Sequence, residues 1–102
     1  MYGLIVKLTV VAGKREELIK LLTGAAVDMP GCFSYVVAKD SVDENVIWVT
    51  EVWDSQASHD ASLSLPAVKN AIPRSKPLVA AFDRIAVTIP VGGIGVRAAS
   101  ER

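Results

Sequence analysis

The stretch CFSYVVAKDSVDENVIWVTEVW, residues 32–53, decides how this chain folds. Two runs rich in β-branched and aromatic residues, 32–40 and 46–53, flank the polar segment SVDEN at 41–45. Such runs suit strands, because branched and aromatic side chains pack well on a pleated surface. The short polar connection makes the pair a hairpin. Side chains alternate between the two faces of a strand. In the first run Phe33, Tyr35 and Val37 therefore share a face. In the second, Ile47, Val49, Glu51 and Trp53 share one face, and Val46, Trp48, Thr50 and Val52 the other.

Upstream, Pro30-Gly31 is a turn signal. Before it, residues 14–27 place Leu18, Leu21, Leu22 and Ala25 at helical spacing, one apolar stripe, with Glu16 and Glu17 near the start where the helix dipole favours acids. Residues 3–12, GLIVKLTVVA, predict a first strand with Leu4, Val6, Leu8 and Val10 on one face, ended by Gly13. Downstream, Asp54 or Ser55 is a helix N-cap, and a short helix is expected to run to about Leu63. Pro66 breaks it and opens a second helical turn through Ile72, with Pro73 and Pro77 punctuating the return. Residues 81–91, AFDRIAVTIPV, predict the last strand, apolar on both faces. The domain is expected to span residues 1–91. The remaining Gly-rich and then polar residues, 92–102, are expected to form a flexible or partner-contacting tail.

The order β-α-β-β-α-β predicts an α+β domain of the ferredoxin-like, split-βαβ kind, with helices on one face of an antiparallel sheet. Several strands are apolar on both faces, where a solvated face would alternate with polar residues. Of the 102 residues, 51% are hydrophobic, and the mean hydropathy is +0.37. A chain of this length buries only roughly 60–68% of its unfolded surface, so part of that apolar material is expected to meet a twin subunit. A homodimer follows.

Eleven basic and eleven acidic side chains give a formal net charge of zero. No electrostatic case exists for nucleic acid or an anionic membrane as partner. The single cysteine, Cys32, cannot form an internal disulfide and is expected to be a small buried hydrophobe. The first residues lack the basic region and cleavage site of a signal peptide, and no apolar run approaches the ~20 residues of a membrane helix. A cytoplasmic protein is expected.

No CxxC, HExxH, GxSxG or phosphate-binding glycine loop is present, and a lone His and Cys do not predict zinc. No metal, flavin or haem cofactor is expected. The candidate pocket residues are Tyr35, Trp48, Glu51, Trp53, His59 and Asp60. Trp53 ends a strand just before a helix and serves either as an aromatic wall for a flat ligand or as core. Trp48 faces the other side and suits dimer or core packing. Glu51 is either a base or ligand contact or a paired structural charge. Tyr35 offers a hydroxyl from the neighbouring strand or simply packs. His59, the one histidine, is either a proton acceptor titrating near neutrality or an exposed helix residue.

The run from Pro30 to Ile72 resembles the antibiotic biosynthesis monooxygenase family, which includes the quinol monooxygenases. The resemblance rests on the turn Pro30-Gly31-Cys32, the acidic hairpin turn Ser41 to Asn45, and the helix start Glu51-Val52-Trp53-Asp54-Ser55. The first strand and the GKREEL helix start fit as well, so it covers roughly residues 3–90. The resemblance implies a dimeric α/β barrel of two ferredoxin-like subunits. It also implies oxygenation of electron-rich phenols, anthrones or quinols by O2 without metal or flavin, the deprotonated substrate supplying the electrons. Family members often carry a histidine about nine residues after the Trp of E-x-W. Here that position is Ser62, and His59 lies one helical turn earlier on roughly the same face.

The first expectation is a cofactor-independent monooxygenase acting on a small aromatic substrate, a quinol, anthrone or polycyclic phenol. His59 would be its catalytic proton acceptor, with Tyr35, Glu51, Trp53 and Ser62 as substrate-binding residues. Two alternatives stand beside it: an isomerase of a small phosphorylated metabolite on the same scaffold, and a non-catalytic small-molecule-binding dimer module. A pocket packed shut by Trp53 and Leu63 would favour the last.

Overall fold

The computed structural model describes residues 1–96. Its strands are β1 (Tyr2–Val10), β2 (Cys32–Lys39), β3 (Val46–Trp53) and β4 (Val79–Thr88). Its helices are α1 (Arg15–Ala25), α2 (Gln56–Ser62) and α3 (Pro66–Ser75), and a single 3₁₀ turn at Lys76–Leu78 leads into β4. All pairings are antiparallel, in the order β2-β3-β1-β4. The chain therefore folds as the ferredoxin-like α+β domain, with the second helical connection split into α2 and α3.

The central pair sets the faces. Leu4 stands opposite Glu51, Val6 opposite Val49 and Leu8 opposite Ile47. These residues, with Tyr35 and Val37 brought alongside by β2, form the helix-covered face. Val6, Leu8, Val10, Leu18, Ile47, Val49 and Leu78 make one buried cluster, and Leu21, Leu22 and Tyr35 pack against it. Each fully buried aliphatic side chain contributes about 1.5–3 kcal/mol. The opposite face carries Lys7, whose ammonium lies 5.9 Å from the Trp48 ring centroid. The Trp48 indole donates to Asp40 Oδ1 at 2.8 Å. That bond, followed by the backbone N–H groups of Asp43 and Val42, lowers the Asp40 carboxyl to about 2. Trp48 is thus a paired aromatic of the open face.

Several boundaries differ from the sequence expectation. β1 stops at Val10 because Gly13 adopts φ 80° and the chain turns there. α1 ends at Ala25, where Ala26 N–H closes the last helical bond to Leu22 and Asp28 then leaves with φ 51°. Phe33 does not share a face with Tyr35 in regular register: Cys32 pairs with Trp53 and Ser34 with Val52, so Phe33 is the extra residue of a bulge. Cys32 is half-buried, and its thiol contacts the Ser34 carbonyl at 3.5 Å. The helix N-cap is Ser55, whose hydroxyl accepts from Ser58 N–H. The turn expected after Pro66 is a full helix through Ser75 with Pro73 inside it. Later bonds carry it past the proline, Ser75 Oγ donating to Ala71 O at 2.7 Å and Lys76 N–H to Ile72 O. The last strand runs from Val79 to Thr88 rather than over 81–91. Its start pairs Val79 with Val10, and it stops where β1 runs out at Gly3, just before Pro90, which has no N–H to pair. Of the expected tail, residues 97–102 lie outside the described residues, while Val96 is buried. Among the described residues, no helix is long and apolar enough to cross a membrane.

Leu18 is fully buried, at 0% exposure, where α1 meets the sheet. Leu18→Ala is expected to cost about 2–5 kcal/mol of stability in a urea titration. A loss well under 1 kcal/mol would mean that α1 is not anchored through this side chain.

Candidate active site

The α1 stripe of Leu18, Leu21 and Leu22 does not close completely on the sheet. A cavity of about 580 Å³ lies between the strands and the three helices. That is the size range of small-molecule sites. Its walls are mostly aliphatic, and Tyr35, Glu51, Trp53, His59 and Ser62 all line it. The structure therefore brings the five sequence-predicted residues to one place. Trp53 and Leu63 form part of the wall and do not plug it. Trp48 and Asp60 are not lining residues: Trp48 lies on the other sheet face, and Asp60 stands behind the imidazole of His59.

Two short motifs meet to build the polar end. The Gly31 carbonyl accepts from Asp54 N–H at 2.8 Å, joining the turn before β2 to the loop after β3. Gly31 sits at φ 82°, and a Cβ there would lie 2.6 Å from Ser58 Oγ and 2.7 Å from Asp54 Oδ1. Only glycine suits both the conformation and the close approach. This junction sets where α2 starts and so which of its residues face the cavity. One turn into the helix is His59.

Glu51 and Trp53 point the same way from β3, and the Trp53 indole donates to Glu51 Oε1 at 2.9 Å. The Glu51 side chain is only 10% exposed, and the His59 side chain 14%. A carboxylate withdrawn from water needs such donors. His59 Nε2 lies 4.0 Å from the same Oε1, beyond direct hydrogen-bond range. The imidazole packs edge-on against Trp53 and tilted against Tyr2, each with centroids 5.5 Å apart. Ser62 is buried, and its hydroxyl donates to the His59 carbonyl at 2.6 Å, so it braces the helix turn that carries His59. Burial, reinforced by the negative charge of Glu51 and then by Cys32, pushes the Tyr35 phenol far above the ordinary tyrosine range. The same two main effects, burial and then Glu51, raise the Cys32 thiol. Tyr35 thus stays an O–H donor, and among the described residues its hydroxyl has no hydrogen-bond partner. The arrangement can take a proton at His59, donate a hydrogen bond from Tyr35, and hold an apolar ring system between them.

The sequence did not single out Lys76 and Arg84, which also line the cavity. Arg84 stands opposite Val6 on the helix face. Register shifts in β4 hid its side from a simple alternation, and Lys76 sits in a turn with no periodicity to read. Met29, from the loop before Gly31, was likewise missed. Among the described residues no three of His, Cys, Asp and Glu converge as a metal-binding group.

Fold and cavity together define a ferredoxin-like domain with a mostly apolar pocket between sheet and helices, carrying Tyr35, Glu51, Trp53 and His59 in its wall. The family profile described as antibiotic biosynthesis monooxygenase matches residues 1–74, and the chain belongs to that family. A crystal structure from Chloroflexus aurantiacus, provisionally named an antibiotic biosynthesis monooxygenase, is 55% identical; the match covers 90% of this chain and 94% of that one, with a TM-score of 0.87. A provisionally named member from Deinococcus radiodurans is 26% identical over 92% of this chain and 96% of that one, TM-score 0.75. One from Caulobacter crescentus, at 23% identity over 89% and 90%, shares the fold with a TM-score of 0.80. No curated protein matches the sequence.

The raised Tyr35 value has a consequence for stability. Unfolded, a tyrosine ionises near pH ~10, whereas the folded protein holds this one protonated. The folded state then binds the extra proton, so its stability falls as pH rises above that range. Chemical denaturation across alkaline pH is expected to show this fall. Tyr35→Phe should make it shallower, and an unchanged slope would show that Tyr35 ionises normally.

Proposed function

We propose that the protein is a homodimeric, cofactor-independent monooxygenase that inserts one atom of O2 into a quinol, anthrone or polycyclic phenol. The observation that carries this reading is the His59–Glu51 pair at the wall of a mostly aliphatic cavity of about 580 Å³, flanked by Trp53 and Tyr35. An electron-rich substrate there loses a proton from carbon or oxygen to His59 Nε2. Apolar walls keep the resulting anion from water and so keep it reactive. Tyr35, a neutral donor, stabilises the developing oxyanion. For an anthrone-type CH2, the anion passes electrons to O2, the two combine as a peroxide, and His59 returns its proton to the distal oxygen. Loss of the remaining C–H proton with cleavage of the O–O bond releases water and leaves the C=O product. All electrons that reduce O2 come from the substrate carbon, so no external reductant is consumed.

Dimerisation along the β4 edge is supported by apolar side chains left in solvent there. On β4, Phe82, Ile85 and Val87 are all more than half exposed, and Ile89 beyond it is 82% exposed. β4 is also an edge strand, with one side of its backbone unpaired in the monomer. A second copy covering this surface is expected to bury at least ~1,200 Å² in total. Light scattering at micromolar concentration should give twice the chain mass, and a monomer would overturn the dimer.

Lys76 and Arg84 at the cavity wall support a second reading, an isomerase of a small phosphorylated metabolite, whose phosphate they would pair with. Oxygen uptake separates the two. With an anthrone or quinol, His59→Ala and His59→Gln are expected to lower oxygen consumption by ~10²–10⁴-fold, the range of general-base help. Thermal melting should stay near the parent, since helix α2 accepts either residue. Rates equal to the parent in both variants would remove His59 as the base and make Glu51→Gln the next variant.

A further inference from the structure

Both nitrogens of the His59 imidazole face a carboxylate, but at different distances. Nδ1 lies 3.0 Å from Asp60 Oδ1, whereas Nε2 lies 4.0 Å from Glu51 Oε1. Only the first is a hydrogen bond. A neutral imidazole carries one N–H and one lone pair, and the partner of one nitrogen decides the state of the other. An ionised carboxylate only accepts, so its bond to Nδ1 requires the proton there. Consecutive residues on a helix do not ordinarily face each other. Here the imidazole packs against Tyr2 and Trp53, each 5.5 Å away between centroids, with Nδ1 on the Asp60 side. The groups facing the ring are thus Tyr2 from β1, Glu51 and Trp53 from β3, and Asp60 from α2 itself.

We propose that Asp60 is a positioning residue: its carboxylate holds the proton on His59 Nδ1 and leaves Nε2 bare, turned to the cavity as the proton acceptor. The proposal rests on the reading of His59 as the base. Glu51 Oε1 already accepts the Trp53 N–H at 2.9 Å and leaves a gap at Nε2 where a substrate proton can arrive. Once Nε2 is protonated, the imidazolium lies between two carboxylates. Asp60 is 62% exposed, so solvent screens its charge. Its effect is directional: it selects the tautomer and holds the ring in place.

Because His59 is the one histidine in the chain, its imidazole signals in a long-range ¹H–¹⁵N spectrum need no assignment by mutation. At alkaline pH, where a histidine is ordinarily neutral, the parent is expected to show a protonated Nδ1 and a bare Nε2. Asp60→Ala should revert to the Nε2–H tautomer that an unconstrained histidine side chain prefers. Turnover of an anthrone should fall about 10–100-fold, the usual cost of losing an orienting partner. KM and the melting temperature should be little changed. Asp60→Glu, which keeps the acceptor, should restore much of the turnover. An Nε2–H tautomer in the parent, or a tautomer unmoved by Asp60→Ala, would overturn the proposal. The spectrum is read without substrate. Failure of every quinol or anthrone to consume oxygen would therefore sink the oxygenase reading while leaving the tautomer result to decide the role of Asp60.

Discussion

The register between β1 and β3 is the constraint on which the rest depends. Leu4, Val6 and Leu8 meet Glu51, Val49 and Ile47 across the centre of the sheet. The side-chain period of a strand is two, so a slip of one residue would exchange the faces. Glu51 and Trp53 would then leave the cavity, and Trp48 with Thr50 would enter it. Two aliphatic pairs, Val6–Val49 and Leu8–Ile47, hold a register that also aims one acid. The packing that stabilises the domain and the geometry that builds the site are therefore a single arrangement. At the β2 edge a bulge at Phe33 adjusts the strand so that Tyr35 still pairs with Glu51. At the β4 edge, shifts near Ile5–Val6 and Thr9–Val10 turn Arg84 and Val79 to the same face.

Against this apolar floor, the few polar groups are tightly constrained. A carboxylate at 10% exposure would be costly alone, and the hydrogen bond from the Trp53 indole offsets part of that cost. Burial first, and then the Glu51 charge, raise the Tyr35 phenol and the Cys32 thiol. Burial and one acid together leave a protonated donor at Tyr35 beside His59. The Gly31–Asp54 junction is the mechanical counterpart, since it fixes the start of α2 and hence the reach of His59.

Much of this was legible in the sequence because two-residue and helical periods are physical consequences of burial. The alternation in 46–53 placed Glu51 with Trp53 and opposite Trp48, and the leucines of α1 fell on one stripe. His59 and Tyr35 could be set near them by helix and hairpin geometry, and Ser62 came only from the resemblance to the family. The errors sit where a period breaks. Phe33 occupies a bulge, Pro73 lies in a helix that later bonds carry past it, and β4 changes register along its length. Arg84 was hidden for that reason. Asp60 stood among the candidates as a pocket residue. Its actual place, behind the imidazole, depends on how Tyr2 and Trp53 hold the ring, which is a tertiary fact.

The two sides of the cavity differ in how they are held. The floor strands β1 and β3 bury most of their inward side chains. The roof is thin: α2 buries only Ser62, and α3 buries none of its residues. Leu63 and Ile72 line the cavity while remaining 49% and 39% exposed. The roof helices thus lack the core that a ferredoxin-like sheet normally offers them, because the space where it would sit is the cavity. A flat apolar occupant would provide the missing contacts on both sides at once. Binding free energy would then be drawn partly from completing the fold, and the more weakly packed helices are the ones placed to adapt to its shape. His59 is carried by the adaptable side and Glu51 by the rigid one, so the fit of α2 on an occupant sets the gap between the imidazole and the carboxylate.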